Sequence, residues 1–208
     1  MIAVYTDLLA ARHRSTLDAE SNELVSYATE GARRILVMMR ELRAYLEAGD
    51  ITPAPGTRVD AGRALALALA EVRQDLAECH GDIRSDQLPT VRMSEAHLSQ
   101  LFTRLLGNAL KFRRPGAAPR VDISATRDAG TWTLSVADDG IGIDPAYHTQ
   151  VFDLFRRLNR RDDYAGTGMG LPICRRIVES YGGRLWVESQ SDRGARFCFT
   201  VPDVTPTR

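Results

Sequence analysis

The stretch Val136-Ala-Asp-Asp-Gly-Ile-Gly-Ile-Asp144 constrains this chain more than any other. The run Thr131 to Ala137 alternates, with Trp132, Leu134 and Val136 on one side, which predicts a β-strand. The strand stops on two carboxylates and then bends through Gly140 and Gly142. A carboxylate fixed beside a backbone with few side chains suits a flat, amine-bearing ring. Asp138 can accept from an exocyclic N–H, and Gly142 lets the main chain come close. The plainer alternative is a loop after an edge strand, since Asp-Gly and Gly-x-Gly are ordinary turn vocabulary. A calcium loop is excluded, because the alternating oxygen ligands and the distant glutamate are missing.

The preceding chain predicts helices. Ile2, Tyr5, Leu8 and Leu9 form a helical stripe over Ile2 to Ala11, broken by Arg12-His-Arg-Ser-Thr. A longer stripe over Leu17 to Leu46 places Leu17, Leu24, Ala28, Gly31, Ile35, Met38, Leu42 and Tyr45 on heptad spacing. One short and one long helix cannot bury all of their apolar faces, which predicts a homodimer closing a four-helix bundle. Packing of the stripe against the downstream domain is the alternative. Gly49-Asp-Ile-Thr-Pro-Ala-Pro-Gly56 reads as a linker.

After it, Val59 to His80 is expected to be a helix capped near Asp60, and Leu88 to Met93 a short strand. Ser94 offers an N-cap to a helix that buries Leu98, Leu101, Phe102, Leu105, Leu106 and Ala109 and runs to Phe112. Strands Arg120 to Arg127 and Thr131 to Ala137 form a hairpin, and Pro145 to Leu158 forms one or two short helices. Asn159 to Gly170 is expected to be a mobile loop and Leu171 to Tyr181 a helix, with strands Arg184 to Ser189 and Ala195 to Val201 closing the chain.

Composition excludes several classes. In 208 residues, 27 basic side chains balance 27 acidic ones, so no global field draws the chain to nucleic acid. The run Ala64 to Ala70 is too short to span a bilayer, and no signal-peptide pattern opens the chain. Cys79, Cys174 and Cys198 are scattered and odd in number, against a disulfide framework or zinc site. A cytoplasmic protein is the expectation.

Three further features join Asp138. Asn108 and Lys111, three apart, share a helix face; an amide oxygen suits Mg²⁺ and an ammonium suits phosphate, although each alone reads as a solvated surface residue. Gly166-Thr-Gly-Met-Gly170 opens a helix, which is an anion-site arrangement, yet it lacks the lysine of a Walker A loop. Phe152 and Phe155 precede that loop and read as core anchors that hinge a lid.

The segments LFTRLLGNALKF, VADDGIGID, VFDLFRRL and GTGMGLPICRRIVESYGG resemble the N, G1, F and G2 boxes of the histidine kinase ATP-binding domain, of the superfamily shared with DNA gyrase, Hsp90 and MutL. The wording from Phe155 to Ser189 is especially similar to kinases of the bacterial phytochrome type. The resemblance implies an α+β fold: an N-terminal helical hairpin over 1–48, then an α/β sandwich over 57–203 with a mixed sheet and helices on one face. It implies that Asp138 binds the adenine amino group beside Gly140 and Gly142, that Asn108 holds Mg²⁺, and that Lys111 reaches phosphate. Gly166, Thr167, Gly168, Gly170 and Leu171 would surround the triphosphate of ATP, with Phe152 and Phe155 at the lid. The implied partners are a second copy of the chain and the receiver domain of a response regulator.

Two positions depart from the pattern. Arg104 stands where the family usually has a second asparagine. The acceptor box, a histidine followed by an acidic residue and soon by proline, is absent: Met1 begins where the first helix should already be past it. His13 lies at the expected hairpin turn, and His80, His97 and His148 lie beyond it. Two other functions therefore stand beside the kinase: a nucleotide-binding module without its own acceptor, and a serine/threonine kinase of the anti-sigma-factor type. The long heptad helix counts against the latter.

Overall fold

The computed structural model describes residues 5, 8, 11–12, 17–51, 56–158, 164 and 166–202. Most of the expected first helix, His13 and half of the expected mobile loop lie outside the described residues. The chain divides into two units, Met1–Ala44 and Tyr45–Arg208.

Helix α1 spans Ala19–Gly49. Asp18 starts it by accepting from Ser21 N–H at 2.8 Å. Thr29 and Ala32 are buried, whereas Leu24, Tyr27, Ile35, Met39 and Leu42 are exposed.

The second unit begins with strand β1, Val59–Asp60, where a helix start was expected. Val59 pairs with Val91 of β3, Thr90–Val91, and both valines are buried. Asp60 is the N-cap of α2, Ala61–Glu71, accepting from Gly62 N–H at 2.8 Å. Buried Val72 breaks the expected single helix, and α3 continues over Arg73–Glu78. Strand β2, Asp82–Ser85, was not foreseen: it is a mostly exposed edge strand with one apolar residue, so no alternation marks it.

Ser94 caps α4, Glu95–Lys111, as its spacing predicts, accepting from His97 N–H at 3.2 Å. Strands β4, Arg120–Asp128, and β5, Thr131–Asp138, are joined through Ala129 and Gly130, both with positive φ, the backbone a two-residue hairpin of right-handed twist needs. Short 3₁₀ turns follow at Pro145–Tyr147 and Gln150–Phe152. Helix α5, Gly170–Ser180, and strands β6, Leu185–Ser189, and β7, Ala195–Pro202, complete the unit.

The main sheet has the order β2-β4-β5-β7-β6. Only the β2–β4 pairing is parallel, so the sheet is mixed. The core lies between one sheet face, bearing Ile123, Leu134 and Phe199, and the helices, which contribute Leu98, Leu101, Phe102, Leu105, Leu106, Ile173 and Ile177. Phe102 meets Phe199 edge to face at 6.2 Å, fixing α4 on β7. Truncating Phe102 in such a core would cost about 3–5 kcal/mol. This layer holds the C-terminal end of α4 beside the C-terminal end of β5.

Candidate nucleotide-binding site

Asp138 is the last residue of β5. Its Oδ1 accepts from Gly140 N–H at 2.9 Å and from Ala195 N–H at 3.2 Å. Both donors use one oxygen, which orients the other for an outside donor. Burial pushes the Asp138 carboxyl above its ordinary value, partly opposed by the two amides. Neighbouring Asp139 turns away and accepts from Arg120 N–H at 2.9 Å, so the two carboxylates have separate tasks.

The turn after Asp138 is locked to α4. Ile141 N–H donates to Phe112 O at 3.0 Å, and a side chain at Gly140 would meet the same carbonyl at 2.5 Å. Gly142 has a φ of +71°, and a Cβ there would lie 2.0 Å from Gln190 O. The space that glycine frees is thus filled by the chain itself, at the bend joining β6 to β7. Arg114 ties the two loops, donating to Gly140 O at 3.3 Å and to Asp192 O at 2.7 Å.

Asn108 and Lys111 lie half-buried on one face of α4, with Arg104 one turn earlier. The Lys111 ammonium lies 4.5 Å from the centre of the Phe112 ring, and Phe112 is 5.0 Å from the Tyr164 ring. A Cβ on Gly166 would lie 2.7 Å from Lys111 Nζ, so the start of the glycine-rich segment rests on this lysine. Burial and the positive charge of Arg157 both lower the Lys111 pKa. Arg157 in turn donates to Tyr164 O. Two cations near enough in a half-buried place to feel each other's charge are unfavourable alone and become favourable once an anion joins them.

Gly168 has a φ of +77°, and a Cβ there would lie 2.7 Å from Arg156 O and 2.8 Å from Phe155 C. Backbone contact thereby joins the phenylalanine segment to the glycine-rich segment. Phe152 is buried beneath the Arg175 guanidinium at 5.0 Å, in keeping with an anchor. Phe155 is 47% exposed in a left-handed conformation, so its ring is available to something other than the core. Thr167 Oγ1 accepts from Met169 N–H at 3.3 Å, fully buried Met169 pins the segment, and Gly170 and half-buried Leu171 open α5.

The sequence-predicted residues therefore fall into two clusters that share the end of α4. Asp138, Gly140 and Gly142 lie on the Phe112 side; Lys111, Gly166 and the Phe155–Gly168 contact lie on the other. Asn108 stands one turn before them, its carbonyl accepting from Phe112 N–H. Sequence reasoning gave no role to Arg157, Tyr164 or Arg114. A doubled arginine carries no signal of its own, and only the fold brings Arg157 to Lys111.

Fold and site together define an ATPase-type domain of one superfamily. Residues 93–205 match the histidine kinase-, DNA gyrase B- and HSP90-like ATPase family, and the chain belongs to it. It is 42% identical over 201 residues to cyanobacterial phytochrome A of a Nostoc species, which spans 97% of this chain and 26% of that protein. Full-length ShkA, solved in complex with AMPPNP, shares the fold with a TM-score of 0.68 at 24% identity, over 100% of this chain and 43% of that one. Histidine kinase ThkA, solved in complex with the response regulator TrrA, gives a TM-score of 0.68 at 17% identity, over 99% and 58%. The chain spans about a quarter of the length of the curated relatives that it matches almost end to end. Among the described residues, no helix is long and apolar enough to cross a membrane.

Proposed function

We propose that this chain is the ATP-binding catalytic portion of a cytoplasmic two-component sensor histidine kinase. The observation that carries this is the half-buried pair Lys111 and Arg157 beside Gly166, joined through Phe112 to the carboxylate of Asp138. A polyanion at one end and an amine-bearing ring at the other describe a nucleoside triphosphate.

Asp138 accepts the adenine amino hydrogen, with Gly140 and Gly142 shaping the turn beneath it. Lys111 and Arg157 meet the phosphates, and Gly166, Thr167, Gly168, Gly170 and Leu171 enclose them at the start of α5. Phe152 and Phe155 hold the enclosing segment. The donor set at Asn108, a single hard amide oxygen, fits Mg²⁺, which takes its remaining ligands from phosphate and water. When bound, Mg²⁺ would neutralise phosphate charge. In the reaction a histidine nitrogen forms a bond to the γ-phosphorus while the bond from that phosphorus to the β,γ-bridging oxygen breaks and ADP leaves. The phosphoryl group then passes to an aspartate on a response-regulator receiver domain. The protein contributes position and charge rather than covalent chemistry.

Calorimetric titration tests the site. Loss of one charge-assisted hydrogen bond costs about 1.5–3 kcal/mol, so Asp138→Asn should weaken ADP and ATP roughly tenfold to more than a hundredfold. Asn108→Ala should remove the Mg²⁺ dependence more than the adenine contact. Equal affinity in wild type and Asp138→Asn would remove the assignment.

A second reading, a nucleotide-binding module without its own acceptor, is favoured by the histidines. His97 Nδ1 is 2.7 Å from Tyr181 Oη, and His148 Nε2 is 3.3 Å from Ile143 O; both are held within the ATP-binding unit. Incubation of this polypeptide with γ-labelled ATP should give little acid-labile label. Strong label that disappears in His13→Gln would make that residue the acceptor.

A further inference from the structure

Helix α1 ends at Gly49 with no basic residue in its last turn, so its terminal carbonyls and the negative end of its dipole need partners from elsewhere. Asp50 N–H serves Glu47 O at 3.2 Å, and helix α5 reaches Ala48 O. Ser180 Oγ, with one hydrogen to share, lies 2.8 Å from Ala48 O across the greater part of the chain and 2.9 Å from Arg176 O in its own helix. The Arg176 guanidinium turns its Nε–Nη2 edge to the last residue: a Cβ on Gly49 would be 2.5 Å from Nη2 and 2.6 Å from Nε. The same guanidinium lies 5.9 Å from the centre of the Tyr45 ring. Tyr45, Ala48 and Gly49 all belong to the second unit, so the clamp lies within that unit.

The other end of α5 is Gly170, where the glycine-rich segment begins the helix. Eleven helical residues span about 16 Å, and a helix this short moves as a rod. Arg175 over Phe152 ties the same rod to the phenylalanine segment, whose Phe155–Arg156 backbone lies under Gly168. One side of the clamp faces open space. A cavity of about 410 Å³ opens between Tyr45, the segment Phe152–Leu154, and Pro172, Arg175 and Arg176 of α5. A polar clamp beside an open cavity can shift at little cost, whereas an interdigitated core cannot.

We infer that Arg176 and Ser180 are positioning residues that couple the last turn of α1 to the glycine-rich segment, with α5 as the lever between them. The inference rests on the proposed nucleotide site. Linkage makes such coupling reciprocal: nucleotide at one end of α5 must tighten the clamp at the other, and the clamp must favour nucleotide by the same factor.

Hydrogen exchange on the full chain, with and without the magnesium complex of AMPPNP, tests it in a peptide covering Tyr45 to Ile51. Wild type should exchange these amides several-fold more slowly with nucleotide bound. The double variant Arg176→Gln, Ser180→Ala should lose that response while keeping its thermal midpoint within a few degrees, and should bind nucleotide weaker by the same several-fold factor. Gly49→Ala, whose methyl group displaces the guanidinium while the sequence of α5 stays unchanged, should behave likewise. Wild type that binds nucleotide with unchanged exchange at 45–51, or variants that respond as wild type does, would overturn the coupling alone. Wild type that binds no nucleotide would remove the proposed function, and the coupling with it.

Discussion

A carboxylate that burial holds above its ordinary pKa is a liability to the folded chain unless something outside it makes use of the charge. Asp138 is such a group. Because its folded pKa is raised, its contribution to stability is fully present below the unfolded value and is lost as pH rises through the folded one. At neutral pH the ionised side chain therefore burdens the fold. An asparagine carbonyl can still accept from Gly140 and Ala195 without bearing a charge. Asp138→Asn should melt at an equal or higher temperature than wild type at pH 7, by calorimetry without ligand, even as nucleotide affinity falls. A clear drop in melting temperature would mean that the carboxylate serves the fold first. At this scale the candidate residues were legible where they sit in one short stretch, as at Asp138 or at Asn108 and Lys111. The sequence was silent about Arg157, whose charge matters only because the chain folds back onto Lys111.

Among the elements, α4 and α5 meet at a titratable contact. Tyr181, just past α5, accepts from Ser94 N–H at 3.2 Å and has its own hydrogen to offer to His97 Nδ1, an arrangement that suits a neutral imidazole. Burial lowers the His97 pKa from its ordinary 6.5. A depressed folded pKa gives stability that is present above 6.5 and lost as pH falls through the folded value. His97→Gln should flatten the fall in melting temperature between pH 7 and pH 5, measured by circular dichroism; an unchanged slope would exclude His97 as the cause. The elements themselves were legible where one face is buried and periodicity is strong, as in α4, β5 and β7. The pieces without that periodicity escaped: β2 is an exposed edge, and β1 is two residues held by Val91. The heptad stripe was read as far as Leu46 and Gly49 as the start of a linker, whereas α1 runs on to Gly49; the contact of its last turn with Ser180 has no local signal at all.

For the whole molecule, the long helix poses the question of assembly. Leu24, Ile35, Met39 and Leu42 remain exposed on α1, an apolar stripe of the kind that marks a partner surface. Met39 is more exposed than Met38, the residue that heptad counting selected. Light scattering at micromolar concentration should return a dimer, and Leu24→Asp with Ile35→Asp should return a folded monomer that still binds nucleotide. A monomeric wild type would refute the bundle.

The order of the sheet bears on time as well as space. Hairpins β4–β5 and β6–β7 are local and can zip within microseconds. The seam between them, β5 against β7, encloses in its loop the glycine-rich segment and all of α5. That closure is slow, because its chain entropy is spent before any contact rewards it. Asp138 receives the Ala195 amide at the end of this seam, so the carboxylate acquires its final pose only when the sheet is whole. Nucleotide therefore cannot act as a template for the nascent chain. At the proposed site it would bind only the finished molecule, slowing its unfolding and leaving the rate of its refolding unchanged.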